Sequence, residues 1–185
     1  PGLMGSLLIG VETAKTLSFI FNKPIIPVNH LIGHIYANWI DQQSEIKFPA
    51  PSLLVSGGHT DLFLIKNHGN IKWLGGTKDD AAVEALDKTG RLMNLSYPAG
   101  PEIEKLAKDG NPKNIKLPRP MIDSDDFDFS FSGLKSAVLR ETQKNTKIKI
   151  EDLCASIQEA IVDVLISKTI KAAKKYKVKS ILLGG

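Results

Sequence analysis

The chain has 185 residues, 42% hydrophobic and 24% charged, which is the composition of an ordinary globular protein and excludes a disordered or fibrous one. Its net charge of +4 permits a nucleic-acid partner without requiring one. The single cysteine, Cys154, excludes an internal disulfide and a cysteine-based zinc site; with no apolar run of ~18 residues and no signal peptide, the expectation is a cytoplasmic protein with no membrane partner.

Residues 5–21 carry Leu7, Leu8, Val11, Ala14, Leu17 and Phe21 at helical spacing. Residues 24–28, apolar with two prolines, read as a short buried strand. Asn29 is placed to cap a helix over about residues 30–40. Residues 53–56 and 60–66 read as two strands around Gly57-Gly58, a hairpin in which the glycines supply backbone angles other residues resist. A second turn at Asn67-His68-Gly69-Asn70 leads to a third strand, 71–74, so a meander is predicted. From Asp79 the period becomes helical, with Ala82, Ala85, Leu86, Thr89 and Leu92 on one face. Tyr97-Pro98-Ala99-Gly100-Pro101 breaks that helix, and a shorter one follows to about Gly110.

Residues 111–132, rich in proline and aspartate, are predicted as loop. Helices are expected from Gly133 and over about residues 150–176, where Leu153, Ile157, Ala160, Ile161, Val164 and Leu165 form an apolar stripe and Lys171, Lys174 and Lys175 suit the helix dipole. Cys154 falls within that stripe and reads as a buried, inert thiol. The chain opens at Pro1-Gly2 and closes on Ser180-Ile181-Leu182-Leu183-Gly184-Gly185, a strand run into a glycine turn. Both ends are expected to be internal to a longer protein. Mixed strands and helices of this kind predict an α/β layered domain.

Several constellations carry chemistry. His30 and His34, four apart on a helix, stack about 5–6 Å apart at Cβ and could share a divalent cation, or be ordinary histidines. A third ligand would have to come from elsewhere. No glutamate adjoins His30, so the metalloprotease helix pattern is absent. Leu54-Val55-Ser56-Gly57-Gly58-His59-Thr60 could aim backbone N–H groups and the Ser56 and Thr60 hydroxyls at an anion, or be a plain tight hairpin. Asp79-Asp80 could simply cap the helix they precede. On spacing alone Asp87 is a surface residue paired with Arg91; the alternative is a carboxylate accepting ribose hydroxyls in a cleft. Gly100 is a turn glycine or a point of close ligand approach, and Glu104 a solvated residue near a helix start. Phe127, Phe129 and Phe131 alternate on one side of an extended segment and read as core, with Ser132 capping the next helix.

Taken in order, Gly2-Leu3 with Gly5 and Gly10, Val28-Asn29-His30-Leu31-Ile32-Gly33-His34, Leu54 to Thr60, Asp79-Asp80-Ala81-Ala82, Glu84-Ala85-Leu86-Asp87-Lys88, Tyr97-Pro98-Ala99-Gly100-Pro101, Pro118-Arg119-Pro120-Met121 and Phe127 to Lys135 resemble the universal tRNA threonylcarbamoyladenosine transferases, in their bacterial and organellar branch. Pro1 belongs to the same series. The resemblance implies the actin-like ATPase (RNase H-like) superfold, incomplete at both ends, with residues 1–50 ending a first lobe and 51–185 forming a truncated second lobe. It implies that His30 and His34 bind one divalent metal, Fe(2+) being favoured and Zn(2+) the alternative. It implies substrate contacts at Leu54, Val55, Ser56, Gly57, Gly58, Asp87 and Gly100, and at Glu104 in some members.

The reaction implied is transfer of threonylcarbamoyl from L-threonylcarbamoyl adenylate to N6 of adenosine 37 in tRNAs reading codons that begin with A, an acyltransferase reaction with no covalent nucleophile. Implied partners are tRNA, a non-catalytic paralogue and a small ATPase. Ala99 departs from the family's usual Tyr-Pro-Gly-Gly-Pro. The family's acidic phosphate loop, a substrate asparagine and a third ligand aspartate have no counterpart in these residues, so the piece alone is expected to bind metal poorly and be inactive. A small-molecule kinase of the same superfold would lack the histidine pair, and so would the paralogue scaffold. A glycoprotease would need the water-activating glutamate that is missing.

Overall fold

The computed structural model describes residues 2–40, 45–144 and 147–185; Pro1, part of the series that carries the resemblance, lies outside them. Two helices open the chain, α1 (Met4–Phe21) and α2 (His30–Tyr36), the second running into a 3-10 turn over Ala37–Trp39. Then come strands β1 (Ala50–Val55), β2 (Thr60–Asn67) and β3 (Asn70–Gly76), helices α3 (Ala82–Leu92), α4 (Gly100–Ala107), α5 (Ser132–Lys144) and α6 (Ile150–Tyr176), and a last short strand β4 (Leu182–Gly184). The sheet order is β3-β2-β1-β4. The predicted meander is present, with β1 and β2 antiparallel and Val55 opposite Thr60, while β4 runs parallel to β1.

Strand alternation splits the core between the two faces of the sheet. Leu53 and Leu62 face a large cluster with Phe127, Phe129, Phe131, Leu134, Ile157, Ile161 and Val164, so the aromatic stripe is core. Ala50 and Leu54 face a smaller cluster with Ile35 and Leu182 beneath α2. Cys154 is fully buried with Ala99 and Ile103, and burial pushes its thiol up to about 11, as expected of an inert sulfur.

Two expectations fail. Residues 24–28 form no strand and are exposed: Pro24 and Pro27 withhold N–H donors, and among the described residues no strand pairs with this segment. Helix α1 forms where expected but buries none of its residues; its apolar side chains, from Leu7 to Phe21, face outward. It is also long and apolar enough to cross a membrane by length and composition, contrary to the expectation that no run is. A Glu12–Lys15 ion pair at 2.7 Å sits mid-helix, where a hydrocarbon environment would penalise it.

The loop over 111–131 is pinned along α6. Asp152 accepts from Asn111 N–H at 2.7 Å and Asn114 Nδ2 at 2.7 Å. Arg119 donates to Asp163 at 2.7 Å and Glu159 at 2.9 Å. Lys168, with no exposed surface, donates to the Asp126 carbonyl at 3.0 Å, and its ammonium also touches Ser124. A buried ammonium needs such a full set of acceptors. The loop then delivers Phe129 to a parallel bridge with Thr77.

At this point Asp79 does something its position in sequence conceals. It does not cap α3, which begins only at Ala82, and Ser132 is not the cap of α5. Instead the Asp79 carboxylate accepts from Phe131 N–H at 2.8 Å, Ser132 N–H at 3.1 Å, Ser130 Oγ at 2.6 Å and Ser132 Oγ at 2.7 Å. It serves as the N-terminal cap of α5 from 53 residues upstream. Desolvation pushes its pKa up, but these hydrogen bonds outweigh that and hold it at about 2, below the ordinary 3.8. A depressed carboxylate contributes stability above its unfolded pKa and loses it as pH falls through the folded value. After allowance for solvent screening, Asp79→Asn should therefore cost about 1 kcal/mol at neutral pH by urea unfolding, and the gap from the parent should close between about pH 4 and pH 2. A gap independent of pH would contradict this role.

Candidate functional site

Asn29 starts α2 as expected, its Oδ1 accepting from Leu31 N–H at 2.9 Å and Ile32 N–H at 3.4 Å. Ile35, at 0% exposure, anchors the helix under the sheet, which turns His30 and His34 away from the core. Their Nε2 atoms lie 3.1 Å apart, with ring centroids 4.5 Å apart at 83°. Two imidazole nitrogens each about 2.1 Å from a common tetrahedral ion sit roughly 3.4 Å apart, so the pair fits a divalent cation. Desolvation first, and then neighbouring positive charge including His34 and His59, lowers the His30 pKa and favours the neutral ring a metal requires. The pair borders a shallow cavity of about 270 Å³ that also meets Asn29, Gly33 and Ala37. Among the described residues no group of three His, Cys, Asp or Glu side chains is placed to hold an ion.

The hairpin comes alongside. Ser56 N–H donates to the His59 carbonyl at 2.8 Å and closes a two-residue loop of Gly57 and Gly58. The expected backbone role of these glycines is overturned: only Gly69 among the glycines has a positive φ. A Cβ at either Gly57 or Gly58 would meet nothing within 4 Å. Neither conformation nor packing among the described residues calls for glycine here. Both N–H groups are also without a protein acceptor among the described residues. The His59 ring lies 6.3 Å from that of His30, and its Nδ1 is 3.5 Å from Asp61 Oδ2. Hairpin and histidine pair thus share one place, at the carboxyl ends of the parallel strands β1 and β4, where α/β sheets commonly bind ligands. Leu54 is buried, at 1% exposure, so its part in any ligand contact is confined to backbone.

Gly184 and Gly185 close this corner. A Cβ on Gly184 would sit 2.9 Å from Leu54 Cδ2 and 3.2 Å from the His34 carbonyl, and one on Gly185 would run into the Val55 carbonyl. The sequence marked them only as a turn. Thr60 also departs from expectation. Its hydroxyl faces no ligand: it is buried and accepts from Ala82 N–H at 2.9 Å, starting α3.

Asp87 makes no ion pair with Arg91 among the described residues. Its Oδ1 accepts from the buried Ala99 N–H at 2.8 Å, so the carboxylate holds the Tyr97-Pro98-Ala99-Gly100 turn against α3. Gly90 makes this crossing possible, since a Cβ there would collide with that of Ala99. The second Asp87 oxygen carries no hydrogen bond among the described residues. Gly100 opens α4, and a Cβ there would meet only Leu86 Cδ1 at 3.9 Å, so packing does not demand glycine. Glu104 is exposed and pairs with Lys108 at 3.8 Å; no contact links it to the other candidates.

A family model described as tRNA N6-adenosine threonylcarbamoyltransferase matches residues 1–185. Curated relatives carry the same description. That of Bacillus subtilis (strain 168) is 53% identical over 189 residues, covering 100% of this chain and 54% of its own length. That of Thermosipho melanesiensis is 51% identical over 185 residues, covering 100% and 56%. That of Listeria welshimeri is 52% identical over 189 residues, covering 100% and 54%. The chain therefore spans about half the length of the curated relatives it matches.

The empty space over the hairpin has a testable consequence. Gly57→Ala and Gly58→Ala should leave unfolding stability within about 0.5 kcal/mol of the parent. Any ligand that approaches the two open N–H groups, probed with an acyl-adenylate analogue by calorimetry on the complete protein, should bind about tenfold or more weaker, because a methyl occupies that space. A loss of stability with unchanged binding would show that the glycines serve the fold.

Proposed function

The chain belongs to the tRNA N6-adenosine threonylcarbamoyltransferase family, and from that premise we propose that the complete protein transfers the threonylcarbamoyl group of L-threonylcarbamoyl adenylate to N6 of adenosine 37 in tRNAs that read codons beginning with A. The observation that carries this reading is the juxtaposition of His30 and His34 with a hairpin whose two glycines leave open space and two free N–H donors.

In this reaction the N6 amine attacks the carbamoyl carbonyl carbon. A C–N bond forms, the bond from that carbon to the phosphate oxygen breaks, and AMP departs with the electron pair while the N6 proton passes to solvent. The demand on the protein is to hold an anionic acyl-adenylate and to accommodate charge gathering on its oxygens. Gly57 and Gly58 N–H groups suit that demand, being preorganised donors that need no reorientation. Ser56 adds a partly exposed hydroxyl beside them. Asp87 keeps one oxygen on Ala99 N–H and presents the other to ribose hydroxyls, so the turn carrying Gly100 and the ribose acceptor are set by one carboxylate. Tight approach at Gly100 is left open by its lack of packed neighbours. Glu104, paired with Lys108 on the outer side of α4, has the weakest support as a contact.

His30 and His34 would hold a divalent metal, iron in preference to zinc, and when bound it supplies a Lewis acid and a template for the substrate. Both rings are preset for that role by Asn29 capping and Ile35 burial. Cys154 takes no part, being buried with a raised pKa. A non-catalytic paralogue and a small ATPase of the same pathway are proposed as protein partners.

The test is reconstitution of the complete protein with its partners, tRNA and L-threonylcarbamoyl adenylate, followed by mass spectrometry of the digested nucleosides. His30→Ala/His34→Ala should retain its fold by circular dichroism and lose at least about 100-fold in both bound metal and modified adenosine. An unimpaired double variant, or phosphoryl transfer from ATP to a small acceptor that ignores both histidines, would contradict the proposal.

A further inference from the structure

Helix α5 starts at the Asp79 cap and packs beside α3, the helix that carries Asp87. From there it leads away from the site for 13 residues, about 20 Å. Lys135 in its first turn and Arg140 and Lys144 in its last turns are all exposed. Against its last turns lies the 116–118 segment of the pinned loop, and between them opens a cleft of about 390 Å³ lined by Lys116, Arg140, Lys144 and Glu141 over a floor of Leu117 and Ala137. Glu141 is the one carboxylate in it, and Lys144 pairs with it at 3.6 Å.

Lys116, Lys135 and Arg140 have neither an ion pair nor a side-chain hydrogen bond among the described residues. Some cations elsewhere are matched, Arg119 by Glu159 and Asp163, Lys88 by Asp80 and Glu84, and Lys78 by Asp128, while others such as Lys66, Lys72 and Arg91 stand alone among the described residues; what marks this place is that Lys116, Arg140 and Lys144 gather about one cleft that holds a single carboxylate. On α6, Glu159 and Asp163 are taken up by Arg119 of the same loop. The loop is thus held so that one of its cations is satisfied inward while Lys116 is left facing α5.

We infer that this cleft, continued along α5 to Lys135, is a docking surface for the phosphate backbone of the RNA substrate. The inference rests on the proposed reading of the protein as a tRNA-modifying transferase and adds where the RNA lies. Cations without carboxylate partners attract phosphates and release the counterions of a polyanion. Protein-protein interfaces, by contrast, centre on aromatic and aliphatic anchors and are depleted in lysine, whereas the apolar lining here is Leu117, Pro118 and Ala137, with no aromatic side chain. The placement also follows from the fold, because α5 is fixed by Asp79 to the element that leads into α3. An RNA strand held along it would run toward Asp87 and the hairpin.

The test uses the complete protein and a tRNA carrying an unmodified adenosine 37, with binding measured by fluorescence anisotropy over a range of salt concentrations. Lys116→Gln/Arg140→Gln/Lys144→Gln should weaken binding about tenfold or more near physiological salt and reduce the slope of log K against log salt by about two to three. A control of equal charge loss, Lys66→Gln/Lys72→Gln/Lys174→Gln, should change the slope far less. Binding of the acyl-adenylate analogue should be unchanged in both. An unaltered slope in the cleft variant, or an equal loss in the control, would overturn the docking surface. Retained RNA binding with loss of a protein partner would assign the cleft to that partner and overturn it as well. If the parent itself bound no tRNA, the functional reading would fail, an outcome separate from failure of the cleft alone.

Discussion

Thr60 ties the two halves of the site together. It follows the hairpin directly, it is fully buried, and it is committed twice: its carbonyl accepts from Thr77 N–H at 2.9 Å and its hydroxyl from Ala82 N–H at 2.9 Å. The hairpin is thereby locked to the start of α3 on one side and, through the Thr77–Phe129 bridge, to the end of the pinned loop on the other. A buried hydroxyl that satisfies an orphan helix N–H is costly to lose, since both the donor and the space around it are left unmatched. The position of the Gly57-Gly58 loop therefore depends on this residue.

The same logic of polar groups committed over long sequence distances recurs across the α3 side. Asp79 caps α5, Asp87 holds the turn before α4, and Asp152, Arg119 and Lys168 fasten a loop that has no regular structure of its own. The apolar clusters supply most of the driving force for folding, because burial is non-directional and scales with area. They leave relative placement of helix ends and turns underdetermined. The carboxylates supply that placement, each through short hydrogen bonds to backbone N–H groups. The arrangement explains why acidic residues that look like ordinary helix caps or surface partners in the sequence occupy the structural joints around the site.

How much of this was legible in the sequence depends on distance along the chain. The histidine pair is a local feature: spacing of four on a capped helix already dictates that both rings share a face, and they do. The hairpin was equally plain, as was α6 from its apolar stripe. What spacing could not give was anything joined across the chain. Spacing alone pairs Asp87 with Arg91, one turn away, and leaves a ribose contact as the alternative; neither points to its bond with Ala99 N–H. Spacing lets Thr60 face an anion, and its hydroxyl serves α3. Spacing lets Asp79 cap the helix it precedes, and it caps the one that begins at Ser132. Helix α1 shows a limit of a different kind. Helical periodicity predicts the helix correctly, but periodicity is silent on whether a partner exists for its apolar residues, and none is buried. For Gly57 and Gly58 the sequence offers two readings, unusual backbone angles and a backbone left open to a ligand; neither glycine has a positive φ, and what the structure leaves is open space.

The central physical claim is that the Nε2 atoms of His30 and His34 and the N–H groups of Gly57 and Gly58 face one ligand. The most direct measurement is a crystal structure of the complete protein with iron and a non-hydrolysable acyl-adenylate analogue. The account predicts metal density within about 2.1 Å of both Nε2 atoms and analogue oxygens within hydrogen-bonding distance of both glycine N–H groups. Analogue bound elsewhere, with the two imidazoles facing solvent and away from the hairpin, would contradict it.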